Sequence, residues 1–140
     1  MAVHIMPLAV IIDTNFIAIP SQFGIDIFVE AERILERKLE FIILSTALEE
    51  LERKLSSASS KTEERHFRVA RSLVERCRIV GPEGLPHADT IDNQLLEYAK
   101  NIKGVLATND RALRKKAREE GVPVLLLRSK KQLALDGSVI

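Results

Sequence analysis

Three aspartates fall where α/β proteins place reactive groups. The apolar run from Leu8 to Ile12 stops on Asp13, which Thr14 and Asn15 follow. Buried strands of parallel sheets read as short apolar runs, and ligands gather outside their carboxyl ends. Asp110 repeats the arrangement. It follows Val105–Ala107 through Thr108 and Asn109 and heads a helical pattern. Asp92 lies in the first turn of another helix, on a face it shares with Leu95, Leu96, Ala99 and Ile102. A carboxylate on an apolar stripe is costly unless it is paired or bound to a cation. A further acid sits among Glu49, Glu50 and Glu52, which flank the stripe of Leu48, Leu51 and Leu55; periodicity does not choose between them.

Each acid has a structural reading when taken alone. Asp13 can turn the chain, and Asp110 can cap a helix, stabilising it by roughly 1 kcal/mol. Asp92 can sit at a rim where the helix dipole favours an anion, and Asp89 reads as a cap. Taken together they say more. Strand ends and helix starts of a doubly wound sheet lie on one side, so three or four carboxylates would meet and repel there. Hard divalent cations such as Mg2+ or Mn2+ relieve that repulsion through oxygen ligands. Such ions can bind a phosphodiester, activate a water and stabilise the leaving oxygen.

The elements that would position these acids follow from periodicity. Strands are expected at Leu8–Ile12, Phe41–Leu44, Arg78–Val80, Gly104–Thr108 and Val124–Leu127. Residues 16–24 read as a loop broken by Pro20 and Gly24. Helices are expected over 25–39, over 46–55 with a capping box of Thr46 and Glu49, and over 62–77. Two more run from about Asp89 or Thr90 to Asn101, and from Asn109–Asp110 to Gly121. Ser56–Ser60 is a polar break between helices, and 129–140 reads as a tail beyond a core of about 8–128. Alternating strands and helices predict one α/β domain over 1–140: three α/β/α layers with a central parallel sheet flanked by helices.

Bulk properties narrow the function. The chain of 140 residues is 46% hydrophobic and 29% charged, with a net charge of +1, so nucleic-acid binding would need a local patch. The lone Cys77 excludes an internal disulfide, suits a reducing cytoplasm and, with only three histidines, argues against a Cys/His zinc site. No apolar run approaches the ~20 residues of a membrane span, and the N-terminus lacks the basic start of a signal peptide. No Gly-x-Gly-x-x-Gly follows the first strand, which excludes a dinucleotide fingerprint. The run Asp13-Thr14-Asn15 also lacks the second aspartate expected of a phosphotransfer hydrolase.

At this point the chain resembles the PIN domains, which are metal-dependent ribonucleases. The likeness runs from about Ala9 to Leu127 and rests on four acids in the family's order. These are Asp13 in Ile-Ile-Asp-Thr-Asn, Glu50 in Glu-Leu-Glu, Asp92 in Asp-Asn-Gln-Leu-Leu-Glu-Tyr-Ala, and Asp110 in Ala-Thr-Asn-Asp-Arg-Ala-Leu. Asn15 and Thr108 match the polar residues that accompany the first and fourth acids. The stretches 13–28 and 127–133 are similar to the archaeal branch related to the eukaryotic small-subunit rRNA-processing nuclease. The departure is Asn93, where many members carry a second acid; it puts the strength of metal binding in question. The resemblance implies a Mg2+- or Mn2+-dependent endoribonuclease. Asp13, Asp92 and Asp110 would hold the metal, and Glu50 would be a ligand or orient water. It also implies that homodimers could form.

RNA, an rRNA precursor or another structured RNA, would meet the basic residues between Arg111 and Lys131. Arg111, Arg114 and Lys115 are the nearest to Asp110. Part of that cluster reads equally as a solvated helix face. Phe16, Phe23 and the 17–24 loop could rest against substrate, while Phe28 reads as core. Two other functions share the sequence features. One is a scaffold that binds RNA or a ribosome-assembly partner and cuts weakly. The other is the toxin of a toxin–antitoxin pair, which would need a small antitoxin partner.

Overall fold

A computed structural model describes residues 6–139. Strand β1 spans Leu8–Ile12, and two short helices follow at once, α1 (Thr14–Ile17) and α2 (Ile19–Phe23). Then come α3 (Ile27–Leu35), β2 (Leu39–Leu44), α4 (Ser45–Ser56), α5 (Lys61–Leu73), a 3-10 turn at Val74–Arg76 and β3 (Arg78–Val80). The second half contributes α6 (Ile91–Asn101), β4 (Val105–Ala107), α7 (Arg111–Glu119), β5 (Val124–Arg128) and β6 (Gln132–Asp136).

The six strands form one sheet in the order β3-β2-β1-β4-β5-β6. All neighbours pair in parallel except β5 and β6. The chain moves outward from β1 through β2 to β3, then returns to the other side of β1 and moves outward through β4. That reversal makes the carboxyl ends of β1 and β4 the switch point of the sheet, where open α/β folds bind ligands. Asp13 and Thr108 are the residues immediately beyond those two strands.

The central strands are almost wholly apolar because helices cover both faces; Glu40, near the start of β2, is the exception. Ile11, Ile42, Ile43, Leu44, Val105, Leu106 and Ala107 have no exposed surface, and Leu51, Leu95, Ala99 and Ala117 meet them from α4, α6 and α7. Full burial of each Ile, Leu or Val side chain favours the fold by roughly 1.5–3 kcal/mol. Phe28 and Phe41 pack edge to face at 4.8 Å between ring centroids, and the Arg76 guanidinium lies over the Phe28 ring at 4.1 Å.

Several sequence expectations need correction. The stretch 16–24 is not a loop but the end of α1 and all of α2: Pro20 occupies the first turn of α2, where its missing N–H costs nothing, and Gly24 ends it at φ +68°. The helix expected over 25–39 is the shorter α3, capped by Asp26, whose Oδ1 accepts from the Phe28 and Val29 N–H groups. The Thr46–Glu49 capping box does not form, since α4 already begins at Ser45 without a side-chain cap. A side-chain cap forms on α5, where Ser60 Oγ accepts from the Glu63 N–H and the Glu63 carboxylate accepts from Ser59. Thr90, not Asp89, caps α6. The tail holds a strand, β6, antiparallel to β5; its Leu133 is buried and Arg118 pairs with Asp136 at 2.7 Å. Ile102, placed on the inner face of α6 by periodicity, lies past the helix end and is 40% exposed.

Candidate active site

Asp13 is the buried member of the site. Its backbone continues the sheet, donating to the Ala107 carbonyl at 2.9 Å. Its Oδ1 accepts from the Thr14 N–H at 2.7 Å, and its Oδ2 accepts from the Thr108 hydroxyl at 2.7 Å. Both bonds favour the carboxylate, but burial outweighs them. The Asp13 carboxyl is pushed above its ordinary range by desolvation, and the negative charges of Asp92 and Glu50 push the same way.

The other acids are delivered by helix starts. Asp110 caps α7, its Oδ1 accepting from the Leu113 N–H at 2.9 Å, and its own N–H donates to Thr108 Oγ1 at 3.1 Å. Asp92 stands half-buried in the first turn of α6. Burial raises its carboxyl first, then the charges of Asp110 and Glu50, while the Lys116 ammonium opposes them. Glu50 comes from α4 and has Lys54 at 4.0 Å. The four acids thus share one electrostatic neighbourhood at the carboxyl edge of β1, β2 and β4. Glu50 is the member of its local trio whose charge reaches Asp13 and Asp92.

The donor set is all oxygen and all anionic, which suits a hard divalent ion. Among the described residues, no three of His, Cys, Asp and Glu stand close enough together to enclose an ion as the side chains lie. Closing around one would take side-chain movement of the half-exposed Glu50, Asp92 and Asp110, whereas Asp13 is fixed. A cavity of about 540 Å3 lies beside α6, lined by Pro86, His87, Asp89, Asn93 and Glu97 among others, and none of the four acids lines it. The acid centre lies apart from that cavity, with Asp13 buried and Glu50, Asp92 and Asp110 half-exposed around it.

The supporting residues divide. Thr108 touches Asp13 directly, as above. Asn15 acts at one remove: its Oδ1 accepts from the Asn109 N–H at a long 3.5 Å, and Asn109 Oδ1 accepts from the Leu127 N–H at 2.9 Å. Asn93 donates through Nδ2 to Asp89 Oδ1 at 2.8 Å, which holds the Asp89 carboxyl below its ordinary range. Arg111 and Lys115 are exposed and Arg114 half-buried, and none of them forms an ion pair among the described residues. Phe16 is buried in the core, only 2% exposed, so it does not face a substrate; Phe23 is 38% exposed. Sequence alone did not single out Thr14 or Gln94, and it assigned Thr46 only a capping role. Thr14 is buried and donates its hydroxyl to the Ala47 carbonyl at 3.3 Å. Thr46 donates to Gln94 Oε1 at 2.6 Å. Thr14, directly after Asp13, carried a local signal, whereas the Thr46–Gln94 bond spans the fold and left none.

Fold and site together define an α/β domain with an acidic centre at its switch point. Residues 10–130 match the sequence profile described as a PIN like domain, and the chain belongs to that family. It is 36% identical over 129 residues to "Ribonuclease VapC4" of Methanocaldococcus jannaschii, covering 91% of this chain and 95% of that protein. The solved structure of the PIN domain endonuclease Utp24 superposes with a TM-score of 0.75 at 28% identity, covering 95% of this chain and 94% of that one. A domain of a functionally unknown protein from the same Methanocaldococcus species, at 19% identity and a TM-score of 0.59, shares the fold over 87% of this chain and 92% of its own.

Proposed function

We propose that this chain is an endoribonuclease that hydrolyses RNA phosphodiesters with Mg2+ or Mn2+ as cofactor. The observation that carries the reading is the convergence of Asp13, Glu50, Asp92 and Asp110 on one sheet edge, where burial and the neighbouring carboxylates both disfavour the charge of Asp13 and Asp92. Its relatives support it: one of them is called a ribonuclease and another an endonuclease. Asp13, Asp92 and Asp110 would hold the ion, and Glu50 would hold it or orient the attacking water. When bound, the ion supplies a Lewis acid and an activated water.

The protein's own groups do the positioning. Thr14 and Thr108 fix both oxygens of Asp13, so its carboxylate keeps one orientation. Arg111, Arg114 and Lys115 lie within about a turn and a half of Asp110 and offer positive charge to the phosphate backbone. The substrate is single-stranded or structured RNA. An rRNA precursor is the proposed target, on the likeness of segments 13–28 and 127–133 to the rRNA-processing branch. The cytoplasm is the proposed location.

The test is cleavage of single-stranded and structured RNA with Mg2+ or Mn2+, with excess EDTA, and with Asp13→Asn. The reading expects cleavage only in the first condition and a folded, inactive variant. Cleavage that survives EDTA or Asp13→Asn contradicts it.

A second reading is an RNA-binding or assembly scaffold that cuts weakly. It is favoured by the spread of the acids, none of which forms a three-residue cage, and by Asn93 lying in a bond to Asp89. Calorimetric titration with Mn2+ separates the two, since a scaffold of this kind takes up no divalent ion at millimolar concentration.

A further inference from the structure

Glu50 and Asp92 reach the site on different helices from different halves of the chain, and they repel each other. Something must hold those helices at a fixed spacing. Glu50 lies one turn along α4 from Thr46, and Asp92 shares the first turn of α6 with Gln94. Between these two turns the Thr46 hydroxyl donates to Gln94 Oε1 at 2.6 Å. Gln94 Nε2 in turn donates to the Pro86 carbonyl at 3.5 Å, tying it to the loop before α6. Among the described residues, Thr46–Gln94 is the one hydrogen bond or ion pair that joins α4 to α6. On the neighbouring residue of α4, the Ala47 carbonyl accepts from the Thr14 hydroxyl at 3.3 Å. The start of α4 is thus linked on one side to the segment that carries Asp13 and on the other to the helix that carries Asp92. Thr46 is not needed to cap α4, which begins one residue earlier.

We propose that the Thr46–Gln94 hydrogen bond is a strap that sets the separation of Glu50 and Asp92, and through it the affinity of the acid centre for a divalent cation. The inference rests on the metal-dependent reading above. Thr46 and Gln94 are positioning residues: they do not touch the ion. Mg2+ demands ligand oxygens at about 2.0–2.1 Å in near-octahedral geometry, so small changes in the spacing of two carriers weaken binding. Groups that hold ligands in place change metal affinity by roughly 10–100-fold when removed.

The experiment is a calorimetric titration of Mn2+ into wild type, Thr46→Val, Thr46→Ser, Gln94→Leu and the Thr46→Val/Gln94→Leu double variant, with Tm of each measured in EDTA. Thr46→Val and Gln94→Leu should each weaken Mn2+ binding roughly tenfold. The double variant should lose no more than either single one, because both remove the same bond. Thr46→Ser, which keeps the hydroxyl, should bind like wild type. A purely structural role would lower Tm in EDTA and leave Mn2+ affinity unchanged. Should Thr46→Val not fold, Gln94→Leu gives the same comparison from the other helix. If wild type binds Mn2+ and Gln94→Leu binds it equally well, the strap is wrong and the nuclease reading stands. If wild type itself binds no Mn2+ at millimolar concentration, both fall.

Discussion

The Thr108 hydroxyl donates to Asp13 Oδ2 at 2.7 Å and at the same time accepts the Asp110 N–H at 3.1 Å. One side chain thereby joins the ends of β1 and β4 and aligns two acids that lie far apart in sequence. Thr108→Val keeps the shape and removes the hydroxyl. It leaves the buried carboxylate short of a donor and the Asp110 N–H short of an acceptor. The expected cost is about 1–3 kcal/mol, or a fall in Tm of roughly 4–12 °C. Thermal unfolding in EDTA reads it, and Thr108→Ser should recover most of the loss. A Thr108→Val protein as stable as wild type would remove this bond from the account.

The raised carboxyl of Asp13 has a definite consequence for stability against pH. The folded state holds its proton to higher pH than the unfolded chain, whose Asp titrates near the ordinary 3.8. The group's contribution is therefore complete below that value and is lost as pH rises through the folded pKa. Asp13→Asn removes this loss. Its stability relative to wild type, measured by denaturant unfolding in EDTA, should improve as pH climbs above the ordinary 3.8 and level off above the folded pKa. A difference that does not vary with pH would mean that burial does not disfavour the Asp13 charge. A divalent ion should offset the same loss in wild type, by about 2.7 kcal/mol at one hundred times its Kd.

Much of this was legible in the sequence, and the reasons differ by residue. Asp13 and Asp110 could be read because strand and helix punctuation is local: apolar run, acid, helix. β1 and β3 begin and end where the periodicity put them. Glu50 could not be separated from Glu49 and Glu52 by periodicity; family likeness singled it out, and its charge is the one felt by Asp13 and Asp92. The helices α1 and α2 were missed because Pro20 and Gly24 punctuate helix ends as readily as loops. Strand β6 was missed because its five residues gain their meaning only from pairing with β5, a tertiary fact. Thr46 was read as a cap, since its bond to Gln94 spans the fold and leaves no local trace.

Gly104 marks a close approach of strands. A Cβ there would stand 2.9 Å from the Ala9 carbonyl oxygen and 2.9 Å from Ile11 Cδ1, and the first of these is backbone that cannot step aside. Gly104→Ala should destabilise the fold by about 1–3 kcal/mol by forcing β1 and β4 apart. Equilibrium unfolding checks this, and a neutral effect would show that the β1–β4 contact yields easily.

Cys77 should be inert in the native state. Burial pushes its thiol up to about 11, so little thiolate exists at pH 8. Alkylation by iodoacetamide at that pH should run roughly 200-fold slower than for an unperturbed thiol, and denaturant should restore the ordinary rate. Equal rates in native and denatured protein would overturn the prediction.

Arg111 and Arg114 should contribute to RNA affinity without sequence preference. The double variant Arg111→Ala/Arg114→Ala should weaken binding to single-stranded RNA and reduce the slope of log K against log salt by about 1.4. An unchanged slope would place the RNA path elsewhere on the surface.

The central claim is that the four acids form one cation site, and anomalous diffraction from crystals soaked in Mn2+ tests it most directly. The account predicts a Mn2+ peak within coordination distance of Asp13 and at least one of Asp92 and Asp110, absent from Asp13→Asn crystals. A wild-type soak at saturating Mn2+ with no peak at that edge of the sheet would contradict it.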